Sequence, residues 1–438
     1  MEIDKTTLND LSVFNHEEEF SIFNKLDFTR TIGGMERLFY QFSRPLNTVD
    51  EINAVQQTIQ IIGQKKELWP GMISNGTIMV IHKFYETGID ALPSYATATS
   101  AYSYKIFHGA DFSLVKYSTG HAFDFLKGMK KIIDIFLDDS CPASLKKILQ
   151  SADSILNKEQ LKIVFKKEKN DDLTMIDMLR LANFIRNYYK QNVFELMEIY
   201  NQLDAWYSMA LAMEKYDLHF PVFSKDEEPV IQAKGLYHIL VPDPVSYDIT
   251  LNRKCNFIFL TGANMAGKST FIKSVGAAVF LAHIGMGVPA VSMHLTMFEG
   301  MLSNINVVDN ISKGESYFYN EVQRIKNTIL KINDRRKWLI LIDELFKGTN
   351  VQDAMKCSAT VIEGLIKIKN SLFILSTHLY EIGEDLKKYP NISFKYFETT
   401  VEDEQLKFSY QLMNGISNDR LGYLILKREK VIELLDEL

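Results

Sequence analysis

The chain has 438 residues, enough for two or more domains that each bury a sizeable core. Hydrophobic residues make up 46% and charged residues 24%, and no apolar run reaches the length of a membrane span, so the composition fits a soluble globular protein and excludes a membrane-embedded or disordered one. The formal charge of −6 does not mark a dedicated polyanion binder, although local basic patches on an acidic protein can hold nucleic acid.

Residues 1–220 read as mostly helical. Thr48-Val-Asp-Glu51 has the form of a capping box, after which Ile52, Val55, Ile59 and Ile62 recur at helical spacing. The segment 95–120 is rich in Ser, Thr, Ala and aromatics and signals no clear element. The Lys-rich stretch 146–169 reads either as a solvated helix face or as a phosphate-contacting tip. A single long helix is expected over about 174–215, with Val193, Leu196, Tyr200, Leu203, Tyr207 and Leu211 on one side and no proline to break it. Its length suggests a strut rather than a core helix.

The composition changes at Phe220-Pro-Val-Phe-Ser-Lys-Asp-Glu-Glu-Pro229. Beyond it, short apolar runs at 255–260, 338–342 and 372–375 alternate with helical segments, the pattern of an α/β domain with a largely parallel sheet. Strands are expected at 394–397 and 407–412, and a helical tail over 423–438. Cys141, Cys255 and Cys357 are scattered and suit neither a disulfide framework nor a metal site, and the N-terminus lacks signal-peptide character. A reducing cytoplasm is the expected location.

The most specific signal lies at Thr261-Gly-Ala-Asn-Met-Ala-Gly-Lys-Ser-Thr270, between an apolar strand and a helical segment. Gly262-x-x-x-x-Gly267-Lys268-Ser269 is the pattern of a phosphate-binding loop. Its glycines let backbone N–H groups face phosphates, the helix N-terminus adds positive potential, and Lys268 reaches the outer phosphates. Ser269 is placed to ligate Mg²⁺. A nucleoside triphosphate is the implied ligand. Trp338-Leu-Ile-Leu-Ile-Asp343-Glu344 is a second apolar strand, ending in two carboxylates. Asp343 suits the metal shell and Glu344 the polarising of an attacking water. Leu372-Phe-Ile-Leu-Ser-Thr377-His378 is a third strand, whose end offers His378 to the γ-phosphate or the water. The segment 310–321 reads by itself only as a polar loop leading into a helix.

Together these motifs resemble the ATPase domain of the MutS mismatch-repair family. Thr261–Thr270 is similar to that family's phosphate loop, including Asn264 and Met265. The stretches Ala282-His-Ile-Gly-Met-Gly-Val-Pro-Ala290, Asp343-Glu-Leu-Phe-Lys-Gly-Thr-Asn350, Ser376-Thr-His378 with Glu381, Phe408-Ser-Tyr-Gln-Leu412 and Gly415-Ile-Ser417 look like successive family motifs. Upstream, residues 26–38, Pro45-Leu46, Gln56, Asp204-Ala-Trp-Tyr-Ser-Met-Ala210 and Pro221-Val-Phe223 resemble the family's core, or lever, domain. The resemblance implies an α + α/β protein. A helical lever domain over 1–220 would precede an ABC-class P-loop ATPase domain over 221–438 with a mostly parallel sheet and a short helical tail. It would be a truncated form, starting at the lever without mismatch-recognition and connector domains.

The resemblance further implies ATP and Mg²⁺ as cofactors. Lys268, Glu344 and His378 would be catalytic, Asp343 and Ser269 would hold the metal, and Gly262, Asn264, Met265, Gly267, Lys268, Ser269 and Thr270 would hold the nucleotide. Ser316, beside Gly314, falls on the signature serine that closes over the nucleotide of a second subunit, which makes a homodimer the expected assembly. Duplex, mismatched or branched DNA and repair or recombination proteins are the implied partners, and no membrane. Departures from the pattern are Phe346 for a glycine, Lys347 for an arginine, Glu315 and Tyr317 in the signature, and Val245, with Tyr247 nearby, where an aromatic stacks on adenine. Phe84-Tyr-Glu86 imitates the mismatch wedge but lies inside the lever region, where it is read as a coincidence. The alternative is a nucleotide switch that regulates a protein partner without binding DNA; a transporter-type or chromosome-structuring ABC ATPase is a more distant one.

Overall fold

The computed structural model describes residues 1–15, 17–305, 317–402, 405–417 and 434. The signature segment up to Ser316 and nearly all of the expected tail lie outside the described residues. The chain divides into two compact units: Met1–Lys25 with Pro45–Ile52 and Tyr216–Leu438, and Leu26–Arg44 with Asn53–Lys215.

The strands, in chain order, are β1 (Glu2–Ile3), β2 (Val222–Ser224), β3 (Val230–Leu236), β4 (Tyr247–Asn252), β5 (Phe257–Thr261), β6 (Ser292–Thr296), β7 (Gly300–Asn304), β8 (Trp338–Asp343), β9 (Leu372–Ser376), β10 (Ile392–Glu402) and β11 (Gln405–Asn414). A seven-stranded sheet runs β1-β7-β8-β9-β5-β10-β11 and a four-stranded sheet runs β2-β6-β3-β4. In the larger sheet every pair is parallel except β10 with β11. Central strands β5, β8 and β9 are buried along their whole length, which is why they read as unbroken apolar runs rather than as alternation. On one face Phe257, Phe259, Trp338, Ile340, Ile342, Phe373 and Leu375 form the core. The helix Lys268–His283 packs so closely against β8 that a Cβ on Gly276 would stand 2.6 Å from Leu341 Cδ1. This α/β unit, with its mostly parallel sheet, and the helical unit agree with the expected fold class.

The division differs from the expected boundary at 220/221. Residues 1–25 and 45–52 belong to the α/β unit: β1 pairs with the sheet edge β7, in the register Glu2↔Gly300 and Ile3↔Met301. Inside that edge, Thr7 Oγ1 accepts the Ser303 N–H (3.0 Å), and the buried Asp10 carboxylate accepts the Ser303 hydroxyl (2.6 Å) and the Ile305 N–H (3.1 Å).

The second unit is all helical. The unassigned stretch 95–120 forms the helices Ala98–Phe107 and, from Gly109, the 28-residue Gly109–Phe136. Phe123, Phe125, Leu126, Met129, Ile132, Ile133 and Phe136 of the latter are buried. The expected single helix over 174–215 is two, Met175–Tyr188 and Lys190–Lys215. Tyr189 interrupts them with φ −121° and ψ 8°; its ring is buried against Phe184 and its hydroxyl donates to Ile155 O (2.5 Å). Nor is Lys190–Lys215 a solvated strut, since residues 202–210 are buried without interruption. Phe84 is buried in the helix Asn75–Glu86, with Tyr85 half-buried and Glu86 exposed, so its ring belongs to a core rather than to a projecting wedge.

Candidate nucleotide site

Three adjacent parallel strands, β8, β9 and β5, end at one edge of the larger sheet. Their ends are tied together: Glu344 N–H donates to Ser376 O (3.0 Å) and Thr377 N–H to Leu260 O (3.0 Å). Carboxyl ends of parallel strands are where α/β sheets hold ligands.

From β5 the loop 262–267 curls into the helix Lys268–His283. Gly262 (φ 135°) and Gly267 (φ 108°) take backbone conformations that side chains disfavour, and Met265 joins them at φ 68°. At Gly262 a Cβ would also meet Phe397 O at 3.2 Å. Lys268 is buried, and its Nζ donates to Gly262 O (2.7 Å) and Ala263 O (2.9 Å). Burial lowers its pKa, opposed by the nearby Glu344 and Asp343. An ammonium held inside its own loop by carbonyls, at the start of a long helix, is preset for anionic oxygens.

Asp343 is gripped by two hydroxyls: Ser269 Oγ donates to its Oδ2 (2.5 Å) and Ser376 Oγ to its Oδ1. A serine and a carboxylate side by side are the hard oxygen donors that suit Mg²⁺, so the donor set fits a metal–triphosphate. Glu344 follows with φ 60°. Its Oε1 faces His378 Nε2 and its Oε2 faces Lys347 Nζ at 2.7 Å. Burial alone would raise the Glu344 pKa; the hydrogen bonds from His378 and Lys347 outweigh it and bring the carboxyl down to about 2. The exposed His378 therefore stands directly against Glu344.

A cleft of about 480 Å³, within the usual range for small-molecule sites, opens over the loop. Asn264, Met265, Gly267, Lys268, Ser269, Thr270 and Glu344 line it together with Val245 and Tyr247. Asp343 and His378 join the constellation through Ser269 and Glu344. Ser316 lies outside the described residues.

Among the other lining residues, no sequence motif marks His238, and Tyr410 is read only as part of the stretch Phe408-Ser-Tyr-Gln-Leu412. Tyr410, on β11 with φ 53°, lies so near that a Cβ on Gly267 would be 3.5 Å from its ring. His238 is buried, and burial, with Lys273 and Lys25 nearby, lowers its pKa to about 4. Its Nδ1 accepts the Leu240 N–H at 3.3 Å. His238 sits in no spacing that local sequence could flag, and Tyr410, although its strand is legible, belongs to a strand that pairs with β10, so its place in the cleft does not follow from local sequence.

Comparisons with known proteins bear on the same region. The model of MutS domain V matches residues 258–433. The DNA mismatch repair protein MutS of Thermotoga maritima is 28% identical over 276 residues, 62% of this chain and 34% of that protein. Its counterpart in Pseudothermotoga lettingae is 30% identical over 232 residues, 52% of this chain and 28% of that protein. MutS protein homolog 4 of Homo sapiens is 28% identical over 238 residues, 52% of this chain and 25% of that protein. The chain thus spans about a third or less of the length of these curated relatives. The domain match takes in the phosphate loop and the strand ends that carry Asp343, Glu344 and His378, the bacterial and human likenesses point the same way, and the chain belongs to the MutS family.

Proposed function

We propose that this chain is an ATPase whose nucleotide cycle governs binding to duplex, mismatched or branched DNA. It acts as a homodimer, with repair or recombination proteins as further partners and the cytoplasm as its compartment. The observation that carries the reading is the meeting of Lys268, Ser269, Asp343, Glu344 and His378 at neighbouring strand ends. ATP with Mg²⁺ would supply the phosphoanhydride and the cation that neutralises its charge. Amides of the loop 262–267, with Asn264 and Met265 at its crest and Thr270 behind it, bind the phosphates. Lys268 exchanges its loop carbonyls for phosphate oxygens, while Ser269 and Asp343 provide the metal's protein ligands. Glu344, too weak a base to take a full proton at rest, orients the attacking water, and His378 senses the terminal phosphate. Val245, Tyr247 and Tyr410 give the base its walls. Ser316 acts on the nucleotide of the second copy.

Phosphate release by the purified chain tests the enzyme half. Mg²⁺ chelation is expected to abolish it, and Glu344→Gln to reduce turnover by about 10²–10⁴-fold while ATP still binds. Turnover in Glu344→Gln equal to that of the parent would remove Glu344 from the mechanism. The net charge of −6 favours one other reading, a nucleotide switch that regulates a protein partner without touching DNA.

A further inference from the structure

The loop that follows Glu344 is held by a carboxylate from another part of the unit. Glu321, on the helix Tyr317–Ile332, is 5% exposed; its Oε1 accepts the Lys347 N–H (3.1 Å) and its Oε2 the Gly348 N–H (3.2 Å). Two successive amides converge on one anion beside Phe346, whose φ is 60°. A left-handed residue next to consecutive N–H groups makes the concavity that binds anions, and here the anion is internal.

The conformation is a demanding one. Glu344 and Phe346 both carry φ 60° without being glycine, and such backbone persists only where the surroundings impose it. Phe346 is buried and meets the Phe318 ring at 5.7 Å, so the helix that supplies Glu321 also supplies an aromatic clamp. Ile325 and Ile332 of the same helix share a core with Leu345 and Phe346. The loop's geometry therefore depends on where this helix sits, and the geometry of the loop sets the direction of the Glu344 carboxylate.

We infer that Glu321 is a positioning residue for Glu344: by holding the Lys347 and Gly348 amides it fixes the loop that aims the Glu344 carboxylate, and so ties the helix Tyr317–Ile332 to hydrolysis. This rests on the ATPase reading above and adds to it a residue that touches neither nucleotide nor metal. A movement of the helix would turn Glu344 through these two hydrogen bonds.

The test compares Glu321→Ala and Glu321→Gln with the parent in ATP turnover, in ATP binding and in amide hydrogen exchange over 344–350 without nucleotide. Glu321→Ala is expected to lower kcat on the order of 100-fold with ATP affinity within about twofold, as for a misaimed catalytic group. Glu321→Gln, which keeps one acceptor for one amide, recovers part of the loss. Exchange at 347 and 348 rises in the order parent, Gln, Ala. Unchanged exchange in Glu321→Ala overturns the inference whatever the activity, as does a kcat equal to the parent's or a loss confined to KM. A parent that shows no turnover sinks the ATPase reading and, with it, the positioning role. The exchange arm still reports whether Glu321 holds the loop, so the two failures are told apart.

Discussion

His283 is wholly buried in the α/β unit, and both ring nitrogens are engaged: Phe298 N–H donates to Nε2 at 3.0 Å, and Nδ1 lies 2.7 Å from Val279 O. A backbone N–H can only donate, so Nε2 carries no proton and Nδ1–H donates to the carbonyl; the ring is neutral. Burial lowers its pKa from the usual 6.5 to about 4. Because the folded pKa lies below the unfolded one, its stabilising contribution is complete above about pH 6.5 and is lost as the pH falls towards 4. Between pH 7.5 and 5 the loss from His283 is on the order of 2 kcal/mol, with His238 shifting stability in the same direction. Urea titrations at the two pH values measure it, and His283→Gln should flatten the slope; a slope untouched by that substitution would contradict this assignment. The sequence shows His283 inside a family-like motif but not its tautomer, which depends on an amide fifteen residues away. Lys268 and Asp343 were legible because a loop pattern and a strand end are local. Glu321 was not, since its partners are the Lys347 and Gly348 amides, and backbone donors leave no mark in a sequence.

Secondary-structure elements in the helical unit meet where glycine allows it. The helix Ile32–Phe42 starts at Thr31, whose Oγ1 accepts the Gly34 N–H (3.1 Å) and donates to Asp204 Oδ2 (2.7 Å). Asp204, fully buried on Lys190–Lys215, also accepts the Arg30 and Thr31 N–H groups at 3.0 Å. One carboxylate thus satisfies the amides leading into the first helix and joins it to the second. A Cβ on Gly34 would lie 2.1 Å from Asp204 Oδ2, whereas one on Gly63 would meet only Ala210 Cβ at 3.8 Å. Gly34→Ala is therefore expected to destabilise the unit by roughly 2–4 kcal/mol, by displacing Asp204 from its donors. Gly63→Ala, inside the helix Val49–Gln64, should stabilise by about 0.5–1 kcal/mol. Trp69 and Trp206 report on urea unfolding of this unit, and equal midpoints for the two variants would refute the argument. The capping box at Thr48 could be read in advance, and Thr48 and Glu51 do exchange hydrogen bonds. The break at Tyr189 could not, because neither proline nor glycine marks it and a tertiary hydrogen bond holds it.

At the scale of the whole chain, the apolar runs and turn signals that made the α/β half readable are absent from its first strand. β1 is two residues long and joins β7 across nearly three hundred residues of sequence, a pairing that no local periodicity can announce. Charge is the whole-molecule property that bears most directly on function. With a net −6, DNA binding must come from a local cluster, and the Lys-rich stretch is the one that sequence picks out: Lys146, Lys147, Lys158, Lys162, Lys166 and Lys169 are all exposed. Exposure suits a solvated face and a phosphate-contacting tip equally, so a salt series separates them. If the cluster meets phosphates, fluorescence-anisotropy affinity for branched or mismatched duplex falls steeply as salt rises, and log affinity is linear in log salt. Changing Lys146, Lys147, Lys162 and Lys166 together to Gln should weaken binding on every sequence alike and flatten the slope by roughly one for each phosphate no longer neutralised. Addition of ATP should change the parent and the Lys268→Ala variant differently, because only the parent can pass nucleotide occupancy on. Binding that responds to salt but not to the four substitutions places the DNA surface elsewhere and leaves the lysines as a solvated face. No binding to any duplex, with or without ATP, would favour the nucleotide switch acting on a protein partner.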